Sequence, residues 1–246
     1  MKVALFVPCY IDQFYPQVAI ATLELLEKLG ISVSVPSNQT CCGQPMANSG
    51  FAYLSHGCDD NFVKRFSDYD YVVCPSGSCT LHVKDHLHSD GHEEQSTHIR
   101  ESIKELTEFL TDVLKVQKLN ASFPHRVGLH QSCHGQRGLG LSQATEVMEP
   151  DFSKPEQLLR MVKGLQLVEL DRRDECCGFG GTFCVTEEAV SVKMGLDRIA
   201  DHLRHGADYI TAADMSCLMH LEGILRRQKS GVKVMHIAQI LNSTVS

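Results

Sequence analysis

Asp70-Tyr71-Val72-Val73 is followed by Ser78-Cys79, and Asp208-Tyr209-Ile210-Thr211 is followed at the same spacing by Ser216-Cys217. Each opening run is short, apolar and rich in β-branched or aromatic residues, a pattern that predicts a buried strand. The same strand and the same cysteine therefore occur twice. Such self-similarity predicts that the chain is an internal duplication.

Two further strand-like runs in each half also lead to cysteines. The matching segments are residues 3–7 before Cys9 and 127–130 before Cys133, then 30–35 before Cys41-Cys42-Gly43 and 164–168 before Cys176-Cys177-Gly178. Apolar residues at helical spacing lie between the strands, as in Val18, Ala21, Leu25 and Leu26.

Alternating strands and helices predict βαβ units, and therefore parallel sheets with right-handed crossovers. We expect an α/β fold of two pseudo-symmetric repeats, each a small parallel sheet flanked by helices. Residues 1–120 would form the first repeat domain with its connecting segment, and residues 121–246 the second. Within the connection, the polar stretch 85–101 predicts an exposed loop and residues 103–119 a helix.

Composition and charge exclude several classes of function. The net charge of -7 and the lack of a basic cluster argue against a nucleic-acid partner. The sequence has no signal peptide or run of 18 apolar residues, so we expect no integral membrane segment and a cytoplasmic location. Eleven cysteines in a reducing compartment indicate metal binding or redox chemistry rather than a disulfide scaffold.

The repeated cysteines predict two metal sites. Ligands of open parallel sheets gather at the carboxyl ends of the strands, where every repeated cysteine is expected. Four thiolates in each repeat match what one 4Fe-4S cluster requires, and a glycine after each adjacent pair lets the backbone approach it closely. The predicted cofactor and metal ligands are Cys9, Cys41, Cys42 and Cys79 in the first repeat, and Cys133, Cys176, Cys177 and Cys217 in the second.

Other interpretations of these residues remain open. Four thiolates also form a tetrahedral zinc site, although zinc ligands usually come in C-x₂₋₄-C pairs, and thiols of lowered pKa could form an exchangeable disulfide. Cys58, Cys74 and Cys184 have no repeated partner and are interpreted as buried apolar residues. His82 and His220 each follow the last cysteine by three residues, and we interpret them as packed histidines rather than ligands.

The motifs Cys41-Cys42-Gly43-Gln44-Pro45 and Cys176-Cys177-Gly178-Phe179-Gly180-Gly181-Thr182-Phe183 resemble the CCG, or cysteine-rich, family found in heterodisulfide reductases. The resemblance spans nearly the whole chain, and Pro75-Ser76-Gly77-Ser78-Cys79 is similar to the lactate-utilisation branch of that family. It implies a three-protein system that oxidises L-lactate to pyruvate. A ferredoxin-like iron-sulfur subunit and a third lactate-utilisation subunit would be the partners, and electrons would pass through clusters bound here.

The chain departs from the reductase relatives at one place. Their final motif is C-x-x-C, and their cluster uses five cysteines, whereas His82 and His220 stand here at the position of the last cysteine. This departure counts against a five-thiolate cluster and against disulfide-reductase activity, but leaves a four-thiolate cluster available.

The sequence contains no complete nicotinamide-binding motif, P-loop, nucleophile elbow or H-E-x-x-H motif. No catalytic residue is therefore assigned. We expect an iron-sulfur electron-transfer subunit of an oxidoreductase, with little turnover by the chain alone. A thiol-disulfide reductase and a zinc-stabilised scaffold are the alternatives.

Overall fold

A computed structural model of the protein describes residues 1–148 and 150–244, and it contains two four-stranded sheets in which every strand pair is parallel. The strand orders are β2-β1-β3-β4 and β6-β5-β7-β8. The strands are β1 (Val3–Leu5), β2 (Val33–Ser34), β3 (Tyr71–Cys74), β4 (Ile103–Glu105), β5 (Arg126–Leu129), β6 (Gln166–Leu167), β7 (Tyr209–Thr211) and β8 (Lys233–Val234).

The register of the central strands repeats from one sheet to the other. Val3 pairs with Tyr71 in the first sheet, and Val127 pairs with Tyr209 in the second. The two repeats can therefore be compared residue by residue along these strands. The predicted α/β fold of two repeats is confirmed.

Helices connect the strands and cover the sheets. The α-helices are α1 (Cys9–Phe14), α2 (Pro16–Lys28), α3 (Gln44–Asn48), α4 (His56–Phe66), α5 (Gly77–His86), α6 (Glu93–Ser102), α7 (Leu106–Glu108), α8 (Lys154–Leu159), α9 (Phe183–Thr186), α10 (Glu188–Arg204), α11 (Met215–Arg227) and α12 (Ile237–Leu241). Ala52–Leu54 form a 3₁₀ turn, and Phe109–Val113 and His134–Gly138 form π-helical turns.

Helix α2 shows how the sequence sets these elements. Pro16 stands at its first turn, where the missing N–H costs nothing, and the apolar face that includes Val18 and Leu25 is buried. The helix ends before Gly30, which has a φ of 83°. This is the left-handed conformation that glycine adopts without strain, so the chain can turn towards β2.

Two expectations about the connecting segment were wrong. Residues 85–101 are largely exposed, but Glu93 begins helix α6 within them. The acidic residues of its first turn stabilise the helix through its dipole, and its Ile99 is fully buried. Residues 103–119 do not form one helix, because Ile103–Glu105 adds the edge strand β4 to the first sheet. The Glu105 side chain accepts hydrogen bonds from the N–H groups of Thr107 and Glu108, and this cap starts α7.

The main apolar core runs through both halves of the chain. It includes Val18 and Leu25 of α2 together with Ile240 and Leu241 of α12. Polar contacts extend this packing, since the Lys28 ammonium donates to the Asn242 side chain at 2.6 Å. Within the described ranges, no helix is both long and apolar enough to span a membrane.

Candidate functional site

The four predicted cysteines of the first half lie together. Cys9 starts α1 directly after β1, Cys41 and Cys42 precede α3 after β2, and Cys79 lies in the first turn of α5 after β3. The Sγ atoms of Cys9 and Cys41 are 3.7 Å apart. Further thiol contacts link Cys41 to Cys42 and Cys42 to Cys79, so the four sulfur atoms are contiguous. We call them the first quartet.

The second half repeats this arrangement, and we call its four cysteines the second quartet. Cys133 precedes the π-helical turn after β5, Cys176 and Cys177 precede α9, and Cys217 lies in the first turn of α11. Thiol contacts link Cys133 to Cys176, Cys176 to Cys177, and Cys177 to Cys217. The duplicated strand order therefore brings together the same four positions twice.

Both quartets line one cavity of about 360 Å³. Apolar side chains such as Ile11, Phe179 and Met215 contribute to its walls. The sequence predicted two groups of thiols, but gave no indication that they would face each other. Cys58, Cys74 and Cys184, which were predicted to have no ligand role, do not line this cavity.

A buried carboxylate joins the two halves beside the cavity. Asp214, 1% exposed, accepts hydrogen bonds from the Ser78 N–H at 2.7 Å and the Ser78 hydroxyl at 3.1 Å. The Gly77 N–H also donates to the Ala213 carbonyl at 3.2 Å. We call this contact between residues 76–78 and 213–216 the seam. Asp214 stands at the position of Ser76 in the first repeat. A comparison of Ser76-Gly77-Ser78-Cys79 with Asp214-Met215-Ser216-Cys217 could therefore have singled out this acidic residue.

Two glycines let the chain turn sharply after each adjacent cysteine pair. Gly43 has a φ of 91° and Gly178 a φ of 86°. A Cβ at Gly43 would lie 2.9 Å from the Ser55 Cβ, and one at Gly178 would lie 2.6 Å from the Ser191 carbonyl oxygen. Both the backbone conformation and the available space therefore require glycine, as expected from the sequence.

In each quartet, the first cysteine of the adjacent pair has a lowered pKa. Hydrogen bonds from Cys42 and Cys9 lower the pKa of Cys41, and those from Cys133 and Cys177 lower the pKa of Cys176. The neighbouring thiols act as donors, so the hydrogen bond to Cys41 and burial raise the pKa of Cys9. Each quartet therefore favours one thiolate, which is the form that binds metals and attacks disulfides.

The histidines that follow the last cysteines belong to no metal-binding group found among the described residues. The His220 ring lies beside the Ser191 carbonyl, with Nε2 3.3 Å from its oxygen. The His82 ring lies at a tilt to that of His86, with centroids 5.0 Å apart, and burial, followed by His86, lowers the pKa of His82 to about 4.

His130 has a weaker claim in the sequence than His82 and His220, but the structure places it beside two quartet cysteines. The ligand atoms of His130, Cys177 and Cys217 all lie within 4.8 Å of one another. His130 ends the strand run that leads to Cys133.

A known protein family matches each of the two repeats. The model of the cysteine-rich domain family, CCG, matches residues 3–84 and 127–222. These two ranges contain all eight quartet cysteines, and each range covers one repeat.

Relatives of the same length match across the whole chain. Lactate utilization protein A of Geobacillus kaustophilus is 43% identical over 99% of each chain, and the protein of that name from Bacillus subtilis is 40% identical over 99% of this chain and 100% of its own. Among solved structures, a hypothetical protein from Helicobacter pylori shares the fold with a TM-score of 0.60 and 14% identity. That match covers 98% of this chain, which spans 48% of the Helicobacter protein. The chain therefore belongs to the cysteine-rich domain family, in the branch of the lactate utilization A proteins.

Proposed function

We propose that the chain holds an iron-sulfur cluster at each quartet and transfers electrons in a system that oxidises L-lactate to pyruvate. The observation that carries this proposal is the pair of cysteine quartets facing one cavity. A role in lactate utilisation comes from the relatives, which carry that name at about 40% identity over the full chain length.

The donor set of each quartet fits an iron-sulfur cluster. Four thiols surround each position, which is the number that a 4Fe-4S cluster takes. Gly43 and Gly178 allow the sharp turns that bring each adjacent cysteine pair to its quartet. When bound, such a cluster would accept and release one electron at a time.

The chain's own residues would hold the clusters and exclude water from them. Cys42 and Cys177, at 4% and 2% exposed, would fix the inner side of each cluster in apolar surroundings. Asp214 holds the first turns of α5 and α11, which carry Cys79 and Cys217, in register across the seam. No acid or base is required of the chain for electron transfer, so substrate turnover would depend on partner subunits.

Partners complete the proposed system. We propose a ferredoxin-like iron-sulfur subunit and a third lactate-utilisation subunit as the proteins that exchange electrons with this chain. The expected result is that lactate reduces the iron of this chain when both partners are present, and not when the chain is alone.

Metal analysis separates the proposal from the zinc scaffold. The chain would be purified without oxygen, reconstituted, and assayed for iron, acid-labile sulfide and zinc. We expect about four iron and four sulfide per quartet. Full zinc occupancy with little iron after reconstitution would refute the proposal.

A thiol-disulfide reductase is the second candidate, because the lowered pKa values of Cys41 and Cys176 suit attack on a disulfide. It predicts that the cluster-loaded chain alone reduces a small disulfide when supplied with electrons. An electron-transfer subunit predicts no such turnover, and Cys41→Ser would abolish any that depends on this thiol.

A further inference from the structure

The two repeats differ in what lies behind their cysteines. In the first repeat Phe6, Phe62 and Phe66 pack edge to face, with ring centroids 4.8 Å apart for Phe6 and Phe62 and 5.7 Å apart for Phe6 and Phe66. The strand register makes His130 the equivalent of Phe6, since each lies three residues after the matching Val3 and Val127. The same strand position therefore carries phenylalanine in the first repeat and histidine in the second.

The helix before the central strand of the second sheet carries buried polar side chains. Arg198 and His202 are four residues apart on α10, and both are fully buried. Arg198 is fully buried and donates to the Leu129 carbonyl at 3.3 Å. The charge of Arg198 acts on His130 and on His202, so the three side chains form one buried polar group.

His130 lacks the partners that a buried imidazole normally has. It is 2% exposed, and neither ring nitrogen has a hydrogen-bond partner within the described part of the chain. An unpaired buried polar group is costly, and native proteins rarely leave one without a reason. The ligand atoms of Cys177 and Cys217 lie within 4.8 Å of its ring and of each other, a spacing that a shared metal ion can bridge.

An imidazole ligates a metal through the lone pair of its neutral form. The terminal nitrogens of Arg198, the charged member of this buried group, donate to the carbonyls of Arg172 and Leu129 and to Asp201. Its Nε has no hydrogen-bond partner among the described residues.

We propose that His130 is a metal ligand at the second quartet, which therefore binds its cluster with sulfur and nitrogen, whereas the first quartet binds with sulfur alone. This inference rests on the proposed function, because it assigns a ligand to the cluster proposed there. It also differs from the interpretation based on the motifs, in which His82 and His220 were the candidate histidines.

A mixed ligand set has a consequence for electron transfer. A 4Fe-4S cluster takes four protein ligands, so His130 would take the place of one cysteine of the second quartet. Imidazole in place of thiolate raises the reduction potential of an iron-sulfur cluster, because less negative charge surrounds the iron. The second cluster would therefore be reduced before the first. The cluster of the first repeat would donate electrons to that of the second, because their reduction potentials would differ.

Magnetic resonance of the reconstituted chain tests the ligand directly. We expect a nitrogen hyperfine coupling on one of the two reduced clusters, and the coupling should change when histidine is labelled with ¹⁵N. His130→Phe, which copies the first repeat, and His130→Gln, which stays polar, should both remove the coupling and lower one of the two reduction potentials. Circular dichroism of each variant would show that it is folded.

His220→Asn is the matched control and should keep the coupling. A wild-type chain with two clusters and no histidine coupling would overturn the inference while leaving the proposed function intact. Loss of the coupling in His220→Asn with retention in both His130 variants would overturn it as well.

Cobalt(II) loading of the metal-free chain separates this inference from the proposed function. We expect the cobalt absorption bands of the second quartet to shift in both His130 variants and not in His220→Asn. If iron-sulfur clusters never assemble but these bands shift, the proposed function fails and the ligand assignment stands. Bands that are identical in the wild type and the His130 variants would refute the assignment.

Discussion

The carboxylate of Asp214 accepts a hydrogen bond of 2.7 Å from the backbone N–H of Ser78, across the seam between the repeats. Its other oxygen accepts from the hydroxyls of Ser78 and Ser216 at 3.1 and 3.0 Å. Asp214→Ala would leave these buried donors unpaired. We expect the free energy of unfolding of the metal-free chain to fall by about 2–4 kcal/mol, measured by urea denaturation.

The control for this variant is Asp90→Ala. The Asp90 side chain is 94% exposed and pairs with His88 alone among the described residues, so its removal should change stability by less than about 0.5 kcal/mol. Equal denaturation midpoints for the Asp214 and Asp90 variants would show that the seam contributes nothing.

Substitution of Gly178 tests the turn after the second cysteine pair. Gly178→Ala must adopt a φ of 86° and place its Cβ 2.6 Å from the Ser191 carbonyl oxygen. We expect a loss of about 2–4 kcal/mol in unfolding free energy from the combined backbone strain and overpacking. Iron bound at the second quartet should fall while iron at the first quartet remains.

Gly223→Ala is the matched glycine control. A Cβ at Gly223 meets nothing within 4 Å, and the residue lies inside helix α11. Alanine should stabilise the helix by up to about 1 kcal/mol and leave the iron content unchanged. A Gly178 variant that behaves like this one would remove the argument for a glycine requirement.

Single cysteine variants test whether the quartets bind metal independently. Cys42→Ser and Cys177→Ser should each lower the iron content by about half, because each removes a ligand from one quartet of four. Cys58→Ser is the control, since Cys58 does not line the cavity, and its iron content should equal that of the wild type. Loss of all iron in either single variant would indicate one shared metal group instead.

The burial of His236 should make the free energy of unfolding sensitive to acid. It is fully buried, and desolvation lowers its pKa from 6.5 to about 4. Below pH 6.5 the unfolded chain binds a proton that the folded chain does not, so the free energy of unfolding falls as the pH drops towards 4. The stabilisation lost over this window is about 3 kcal/mol.

Urea denaturation between pH 7.5 and 5 measures this effect. His236→Gln should flatten the pH dependence by up to one proton, because glutamine does not titrate and its carbonyl can still accept from the Ala238 N–H. An unchanged slope in the His236 variant would contradict the prediction.

Much of the fold could be predicted because its signals are local. The runs at residues 70–73 and 208–211 predicted strands, and β3 and β7 lie there. Edge strand β4 has only three residues and leads directly into α7, so its periodicity could not be separated from that of a helix. Helix α6 buries only Ile99 among its apolar side chains, which left too weak an apolar pattern to recognise.

The sequence predicted the two groups of cysteines but not that both would line one cavity. The spacing of the cysteines placed each quartet correctly in space, because parallel strands deliver their carboxyl ends to one edge. The facing of the quartets depends on packing between α2 and α12 and on Asp214, which are contacts between residues far apart in the sequence. His130 was ranked below His82 and His220 because its environment is created by residues far away in the sequence, such as Arg198 on helix α10.

The shared cavity means that the two sets of sulfur atoms are protected from dioxygen by the same contact. Cys42, Cys79, Cys177 and Cys217 are buried beside it, and loosening the joint at Asp214 would expose both sets in the same event. A substitution that weakens this joint should therefore increase the oxidation of both quartets together.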